Sequence, residues 1–448
     1  MIYNFLKIVV KVALRIFFRK VSVHKAIDLP TEGPLIIVGN HPNTFMDPLI
    51  LATLFRQRVG FLGNASIFVN SFVNAIFAYF RVIPVYRDKD VAPGEKIDNE
   101  KTFRDCYKFL EANNSLMLFP EGTSYHELKL RKIKTGGARI ALSVEKKNHF
   151  KLGVKIIPIG LYYSNPSKFR SKIYVNTGEL IYTKDFEAIY ERDEVAGVQA
   201  LTEKVRESLE SLTITTEDKE QEDLFFKVKR IYKDQLIKRA ESFKNDEFEL
   251  TKEIANAIQY FKVSFPNKFE TIKTKIDRCS QLLDEFQTTA RRTKPLKNKL
   301  KKISILISGT IYLIAGFPLY LYGLIQNLIP FRTPYWLAQK FTKEPEYYAP
   351  IMMSLGIVVF PLYYSLSFFL FDIRLSPDPL LLSLYLASLP LSGYYVLHYY
   401  HFFRAGISFL KIHNLIHSKK DLLKELEQLK VSIFDELDEA RTIYLKRL

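Results

Sequence analysis

The sequence predicts an α/β domain with a mostly parallel sheet, followed by a helical module and a helical transmembrane region. Three observations carry that reading. Between residues 34 and 180, short apolar runs alternate with helical stretches, the pattern of a parallel sheet covered by helices. From 181 to 300 the chain is charged and helix-periodic, with proline only at 266 and 295. Beyond it, the stretches 303–329, 350–371 and 379–400 are apolar, and each is long enough to span a bilayer. The expected division is 1–22, 23–215, 216–300, 301–403 and 404–448.

Composition narrows the function. A chain of 448 residues, 48% of them apolar, has room for two or three domains with sizeable cores. A net charge of +17 and a pI near 9.4 call for an anionic partner. The apolar stretches favour a membrane surface over nucleic acid as that partner. Cys106 and Cys279 are the only cysteines, which excludes a disulfide framework and a cysteine-rich metal site.

The first twenty residues are apolar but for a cation every fourth position, Lys7, Lys11, Arg15 and Arg19, which stripes one helix face. A secretory leader keeps its charges ahead of an unbroken apolar core, and a spanning helix would bury four cations. An in-plane amphipathic helix on an anionic membrane fits best; a soluble helix docked on the protein is the alternative. The expected elements then follow in order. Strands are read at Leu35–Val38, Val59–Gly63, Val82–Val85, Leu116–Phe119, Val154–Gly160 and Lys172–Asn176. Helices are read at Ser66–Tyr79, 96–112 and 134–146.

Chemistry enters at the end of the first of these strands. Leu35-Ile36-Ile37-Val38 reads as a strand buried on both faces, and Asn40-His41-Pro42-Asn43 breaks it. Asn43 is placed to cap a helix starting at Thr44, which leaves His41 outside that helix and Asp47 in its first turn. Helical side chains tilt toward the N-terminus, so Asp47 leans back toward the imidazole. A carboxylate on one ring nitrogen fixes the tautomer and frees the other to take a proton from a hydroxyl. The plainer reading is a satisfied loop histidine beside an ordinary first-turn acid.

Phe119-Pro120-Glu121-Gly122-Thr123-Ser124 follows another buried strand, where open α/β sheets bind ligands. Gly122 lets a ligand approach the backbone, and the hydroxyls of Thr123 and Ser124 can donate to phosphate oxygens. Arg131, Lys132 and Lys134 lie just beyond. Glu121 is unexpected in an anion site; it accepts from a substrate hydroxyl or orients a cation such as Arg87. No Gly-x-Ser-x-Gly elbow and no histidine-rich ligand cluster is present.

These motifs resemble those of the glycerolipid acyltransferases: His41/Asp47, Phe119 to Thr123, Ile157-Pro158-Ile159-Gly160, and Ile83-Pro84-Val85-Tyr86-Arg87 as an intervening block. Five residues separate His41 from Asp47 where most of the family has four, and Ser124 stands where a basic residue is usual. Five intervening residues, together with Ile133 to Gly136 and Lys168 to Lys172, resemble the fungal-type glycerol-3-phosphate/dihydroxyacetone-phosphate branch. The resemblance implies transfer of a fatty acyl group from acyl-CoA or an acyl-carrier-protein thioester, with no bound cofactor or metal. The implied acceptor is glycerol 3-phosphate or dihydroxyacetone phosphate, with lysophosphatidate as the alternative and a silent membrane scaffold as a weaker one. His41 and Asp47 are the implied catalytic pair. Arg87, Glu121, Gly122, Thr123, Ser124, Lys134 and Pro158 are the implied substrate-binding residues.

The run Arg291, Arg292, Lys294, Lys297, Lys299, Lys301 and Lys302 holds no acid and should face anionic lipid on the cytoplasmic side. Residues 404–420 are also basic, which requires an even number of crossings between the two. The stretches 350–371 and 379–400 form the natural hairpin. Residues 303–329, with Gly309, Gly316, Pro318 and Gly323, are the stretch expected to be kinked or re-entrant. The C-terminal segment reads as a solvated amphipathic helix.

Overall fold

The structure is a computed structural model describing residues 2–86, 99–243, 247–285, 299–375, 378–418 and 420–446. Arg87 and the basic run from Arg291 to Lys297 lie outside the described residues. Two compact units form, Met1–Thr215 with Leu337–Ser354, and Thr216–Trp336 with Leu355–Leu448.

The first unit runs α1 (Ile2–Phe17), β1 (Lys20–Lys25), β2 (Leu35–Gly39), α2 (Met46–Leu54), β3 (Val59–Asn64), α3 (Ser71–Tyr79) and β4 (Val82–Val85). It continues with α4 (Glu100–Glu111), β5 (Ser115–Leu118), α5 (Gly136–Lys147), β6 (Lys155–Tyr163), β7 (Lys172–Thr177), β8 (Ile181–Tyr182), α6 (Glu187–Arg192) and α7 (Glu194–Leu212). The strands join in one sheet ordered β1-β7-β6-β2-β5-β3-β4, with β8 on β6. Only the β6–β7 and β6–β8 pairings are antiparallel, so the sheet is mostly parallel as the alternation predicts.

Strand β2 is central because its side chains are apolar on both faces. Ile36 and Val38 pack with α4, α5 and α7 through Leu110, Ala141 and Leu201. Leu35 and Ile37 point the other way, into a core shared with Leu14 and Phe17 of α1 and Met46, Ile50 and Leu51 of α2. That second core also takes in Ala349 and Met353, from more than three hundred residues later.

Several local expectations are corrected. β1 and β8 were not expected, the first because Lys20, Ser22, His24 and Lys25 mark it as polar; it survives as an exposed edge strand. The helix expected at Ser66–Tyr79 is interrupted: after a short 3₁₀ turn at Ala65–Ile67, the Asn70 side chain accepts the Val73 N–H at 2.9 Å and starts α3 afresh. Asn43 does not cap α2, whose first residue is Met46 and whose N-cap, Phe45, makes no side-chain bond. The expected four-cation stripe leaves only Lys11 and Arg15 exposed on α1, because Arg19 lies beyond its end and Lys7 turns inward and donates to the carbonyl of Phe55. Burial, helped by the neighbouring charge of Lys11, lowers the Lys7 pKa.

The second unit holds α8 (Lys219–Phe243), α9 (Glu247–Ser264), α10 (Pro266–Glu285), α11 (Lys299–Phe341), α12 (Tyr348–Leu375), α13 (Pro379–Ser418) and α14 (Lys420–Leu445). The last residues of α11, from Leu337, and the first of α12, up to Ser354, belong to the first unit. Helix α14 is not simply solvated. Its apolar spacing buries Leu426 and Ile433, while Glu425 pairs with Arg278 at 2.7 Å and Arg441 with Glu253 at 3.2 Å, fixing α14 on α9 and α10. Among the described residues three segments are long and apolar enough to cross a membrane, Leu306–Phe341, Pro345–Leu375 and Pro379–Ile407. They meet at Asn327, which accepts from the Tyr364 hydroxyl at 2.6 Å and donates to the Leu389 carbonyl at 3.2 Å. Helix α11 also contains Pro318, Pro330 and Pro334, each lacking the N–H that an unbroken helix needs.

Candidate active site

Strands β2 and β5 are parallel neighbours, Val38 opposite Leu118, so the loops after them leave the sheet side by side. The chain after β2 turns to the α1/α2 face, while the chain after β5 turns to the α4/α5 face. Diverging connections at the carboxyl ends of adjacent strands open the crevice in which such sheets take ligands.

In the first loop His41 Nδ1 lies 2.9 Å from Asp47 Oδ2. Asp47 is wholly buried, whereas the imidazole keeps 18% of its surface. The same Oδ2 accepts the Asn43 backbone N–H at 2.7 Å, and Oδ1 accepts the Tyr163 hydroxyl at 2.5 Å. Three donors converging on one carboxylate place the imidazole proton on Nδ1 and leave Nε2 as the acceptor. The Tyr163 phenol is held protonated, its pKa driven well up by burial and then by the adjacent Asp47 charge. The ring of Phe119 stacks on the imidazole, centroids 4.1 Å apart and planes 15° from parallel, which fixes its orientation.

The second loop is tied to the first through Glu121. Its Oε1 accepts the His41 N–H at 2.9 Å and its Oε2 the Arg131 N–H at 3.1 Å. The carboxylate thus accepts from one backbone N–H of each motif loop and bolts the two loops together. Burial raises the Glu121 pKa, opposed by those two backbone bonds. Ser124 Oγ accepts the Thr44 N–H at 2.8 Å, a second tie between the loops.

At the turn itself, Gly122 has φ +73°, and a Cβ there would stand 2.8 Å from Lys134 Nζ. The ammonium of Lys134 thus lies against the bare backbone of the turn, where an anion would be held. Arg131 is otherwise engaged, its guanidinium 3.6 Å from the Tyr125 ring centroid and 2.8 Å from Glu127. Thr123 sits in the same turn, partly exposed.

The structure therefore brings together His41, Asp47, Glu121, Gly122, Thr123, Ser124 and Lys134. Pro158 stands apart. It is buried inside β6 opposite Val38, at the point where β6 changes partner from β8 to β7, so its missing N–H leaves no ladder bond unmade. Its carbonyl accepts from Gly178 at 2.9 Å. Sequence reasoning missed Tyr163, which has no local signal 116 residues from its partner, and Asn40. The Asn40 amide donates to the Leu161 carbonyl at 3.0 Å and accepts the Leu161 N–H at 2.7 Å, anchoring the loop base to β6.

Fold and site together define an α/β domain that holds a hydrogen-bonded His–Asp pair beside a cationic, glycine-centred turn. Residues 20–162 match the family model described as Acyltransferase. The chain is 31% identical over 302 residues to glycerol-3-phosphate O-acyltransferase 1 of Saccharomyces cerevisiae, covering 48% of this chain and 40% of that one. It is 29% identical over 175 residues to a 1-acyl-sn-glycerol-3-phosphate acyltransferase of Borreliella burgdorferi, covering 39% of this chain and 63% of that one. The chain thus spans less than half the length of the yeast protein and under two thirds of the bacterial one. Among solved structures, the 1-acyl-sn-glycerophosphate acyltransferase of Thermotoga maritima aligns with 46% of this chain and 79% of its own at TM-score 0.34 and 20% identity.

Proposed function

We propose that the protein is a membrane-bound O-acyltransferase of phospholipid synthesis, moving a fatty acyl group from an acyl thioester to a hydroxyl of glycerol 3-phosphate or dihydroxyacetone phosphate. The observation that carries it is Glu121, which joins the His41–Asp47 loop to the loop bearing Gly122 and Lys134. Proton acceptor and anion seat are thereby held at a fixed separation, as a phosphorylated alcohol requires.

In the reaction, His41 Nε2 takes the hydroxyl proton while Asp47, braced by Tyr163 and Asn43, stabilises the imidazolium. The alkoxide oxygen bonds to the thioester carbonyl, the carbon–sulfur bond breaks, and the departing thiolate receives the proton. Lys134 and the Gly122–Ser124 turn hold the acceptor phosphate. Acyl-CoA or an acyl-carrier-protein thioester serves as donor, with no covalent enzyme intermediate required.

The membrane surface is the proposed partner of α1, which exposes Ile2, Phe5, Ile8 and Val12 beside Lys11 and Arg15. Nearby, the Arg58 guanidinium lies between the rings of Tyr3 and Tyr79, 4.9 and 5.0 Å from their centroids, joining α1 to the exposed apolar surface of α3. On this reading the catalytic domain faces the cytoplasm. The second reading, acylation of lysophosphatidate, draws on the likeness to the bacterial protein. Incubating the purified protein with labelled acyl thioester and either glycerol 3-phosphate or lysophosphatidate decides between them. A higher initial rate on glycerol 3-phosphate supports the first acylation, and incorporation into neither acceptor removes both.

A further inference from the structure

An imidazole paired with a buried carboxylate deprotonates water as readily as it deprotonates a glycerol hydroxyl, and water is always the more abundant nucleophile. A thioester bound beside His41 is therefore hydrolysed unless something keeps water from the crevice. The segment 342–348, joining α11 to α12, lies against the His41–Asp47 loop. Thr44 Oγ1 donates to the Glu346 carbonyl at 2.9 Å, and the rings of Phe45 and Tyr347 meet edge to face with centroids 6.2 Å apart. Ser167, whose hydroxyl is 3.2 Å from His126 Nδ1, makes a longer contact of 3.4 Å with the Pro345 carbonyl.

The segment is fixed rather than loose. Immediately after it, Ala349 and Met353 are 0% and 4% exposed, packed in the core that holds Met46 and Tyr163. Thr44 adopts φ +30°, a conformation that costs a β-branched residue about 1–3 kcal/mol and persists only where the surroundings over-determine it. Its N–H to Ser124 and its hydroxyl to Glu346 supply that determination, so one strained residue links both motif loops to the segment.

We propose that residues 344–348 form a wall of the active site that selects the acceptor over water, with Thr44 as the positioning residue that seats it. The inference rests on the acyl-transfer reading. It places on the catalytic unit a stretch that the apolar pattern alone assigns to the turn between two membrane helices.

The test uses the whole 448-residue chain in detergent micelles with palmitoyl-CoA and, at saturation, whichever of glycerol 3-phosphate and lysophosphatidate it acylates faster. Total thiol release and acylated product are measured in one reaction, their difference being hydrolysis. The ratio of hydrolysis to transfer does not depend on how much enzyme is folded, so a purely structural defect leaves it unmoved. In Thr44→Val, which loses a hydrogen bond, and in Tyr347→Ala, which loses the ring contact with Phe45, the ratio should rise about threefold to tenfold, the range that either loss spans. An unchanged ratio in both variants, whatever their total rates, overturns the wall while leaving acyl transfer standing. Unmutated protein that releases no thiol overturns acyl transfer and the wall with it.

Discussion

The backbone N–H of His41 is bonded to the carboxylate of Glu121 at 2.9 Å, so the loop that carries the proton acceptor is held by the loop that carries the anion seat. Glu121→Gln keeps the shape but sets an amide NH₂ against one of two backbone donors, at a cost of about 1–3 kcal/mol. A fall of about tenfold or more in kcat is expected. The acid side of the pH–rate profile should contain a step above the ordinary glutamate range, because burial raises this carboxyl; that step should vanish in the variant. The linkage has the opposite sense for stability. A raised folded-state value makes the contribution of Glu121 greatest below the unfolded glutamate pKa and diminishes it as pH rises through the folded one. The Tm gap between parent and variant should therefore narrow from acid to neutral pH, and a gap that widens refutes the assignment.

His41→Ala should lower transfer by about 10²- to 10⁴-fold, as loss of a positioned base does, with folding and membrane association intact. Asp47→Asn should be milder, since it keeps shape while losing tautomer control. Tyr163→Phe removes one of the three donors on Asp47, and about tenfold in kcat is expected for a bond to a charged group. Initial rates beside thermal melts check all three. Near-normal turnover in His41→Ala ends the proposed mechanism.

Phe5 is exposed on α1, and Trp336 is the sole tryptophan. A Phe5→Trp probe in a Trp336→Phe background should shift its emission to the blue on anionic vesicles and be quenched by brominated acyl chains. Replacing Lys11, Arg15 and Arg19 with glutamine should weaken that response, by about 1 kcal/mol per charge at low salt. Emission that ignores vesicles removes α1 from the membrane surface.

The bond from Thr44 to Glu346 also bears on topology. Residue 346 lies on the catalytic unit, so the expected arrangement has α11 return to the side it leaves, with α12 and α13 as the hairpin. Both native cysteines are buried. A cysteine placed at Lys343 should react with impermeant reagent from the same face as one placed at Lys25, and one at Asp378 from the opposite face. Labelling of Lys343→Cys and Lys25→Cys from opposite faces reverses the assignment.

The sequence by itself determined the α/β class and the central strand, and it offered the His41–Asp47 pairing beside a plainer reading that spacing alone left open. Those follow from local signals: an apolar run that must be buried on both faces, a proline that stops it, and a spacing that brings imidazole and carboxylate together across a strand-to-helix turn. It also marked the three apolar helices, because length and composition suffice for that. Only the tertiary structure decided what surrounds the pair. Tyr163 reaches Asp47 because β6 lies beside β2, and Glu121 turns to the His41 backbone because β5 lies on its other side. Glu346 meets Thr44 because Ala349 and Met353 fit a core built by α1, α2 and one face of the sheet. Strand order and long-range packing leave no periodic trace in a chain, since each depends on which distant apolar face a segment fills rather than on its own pattern.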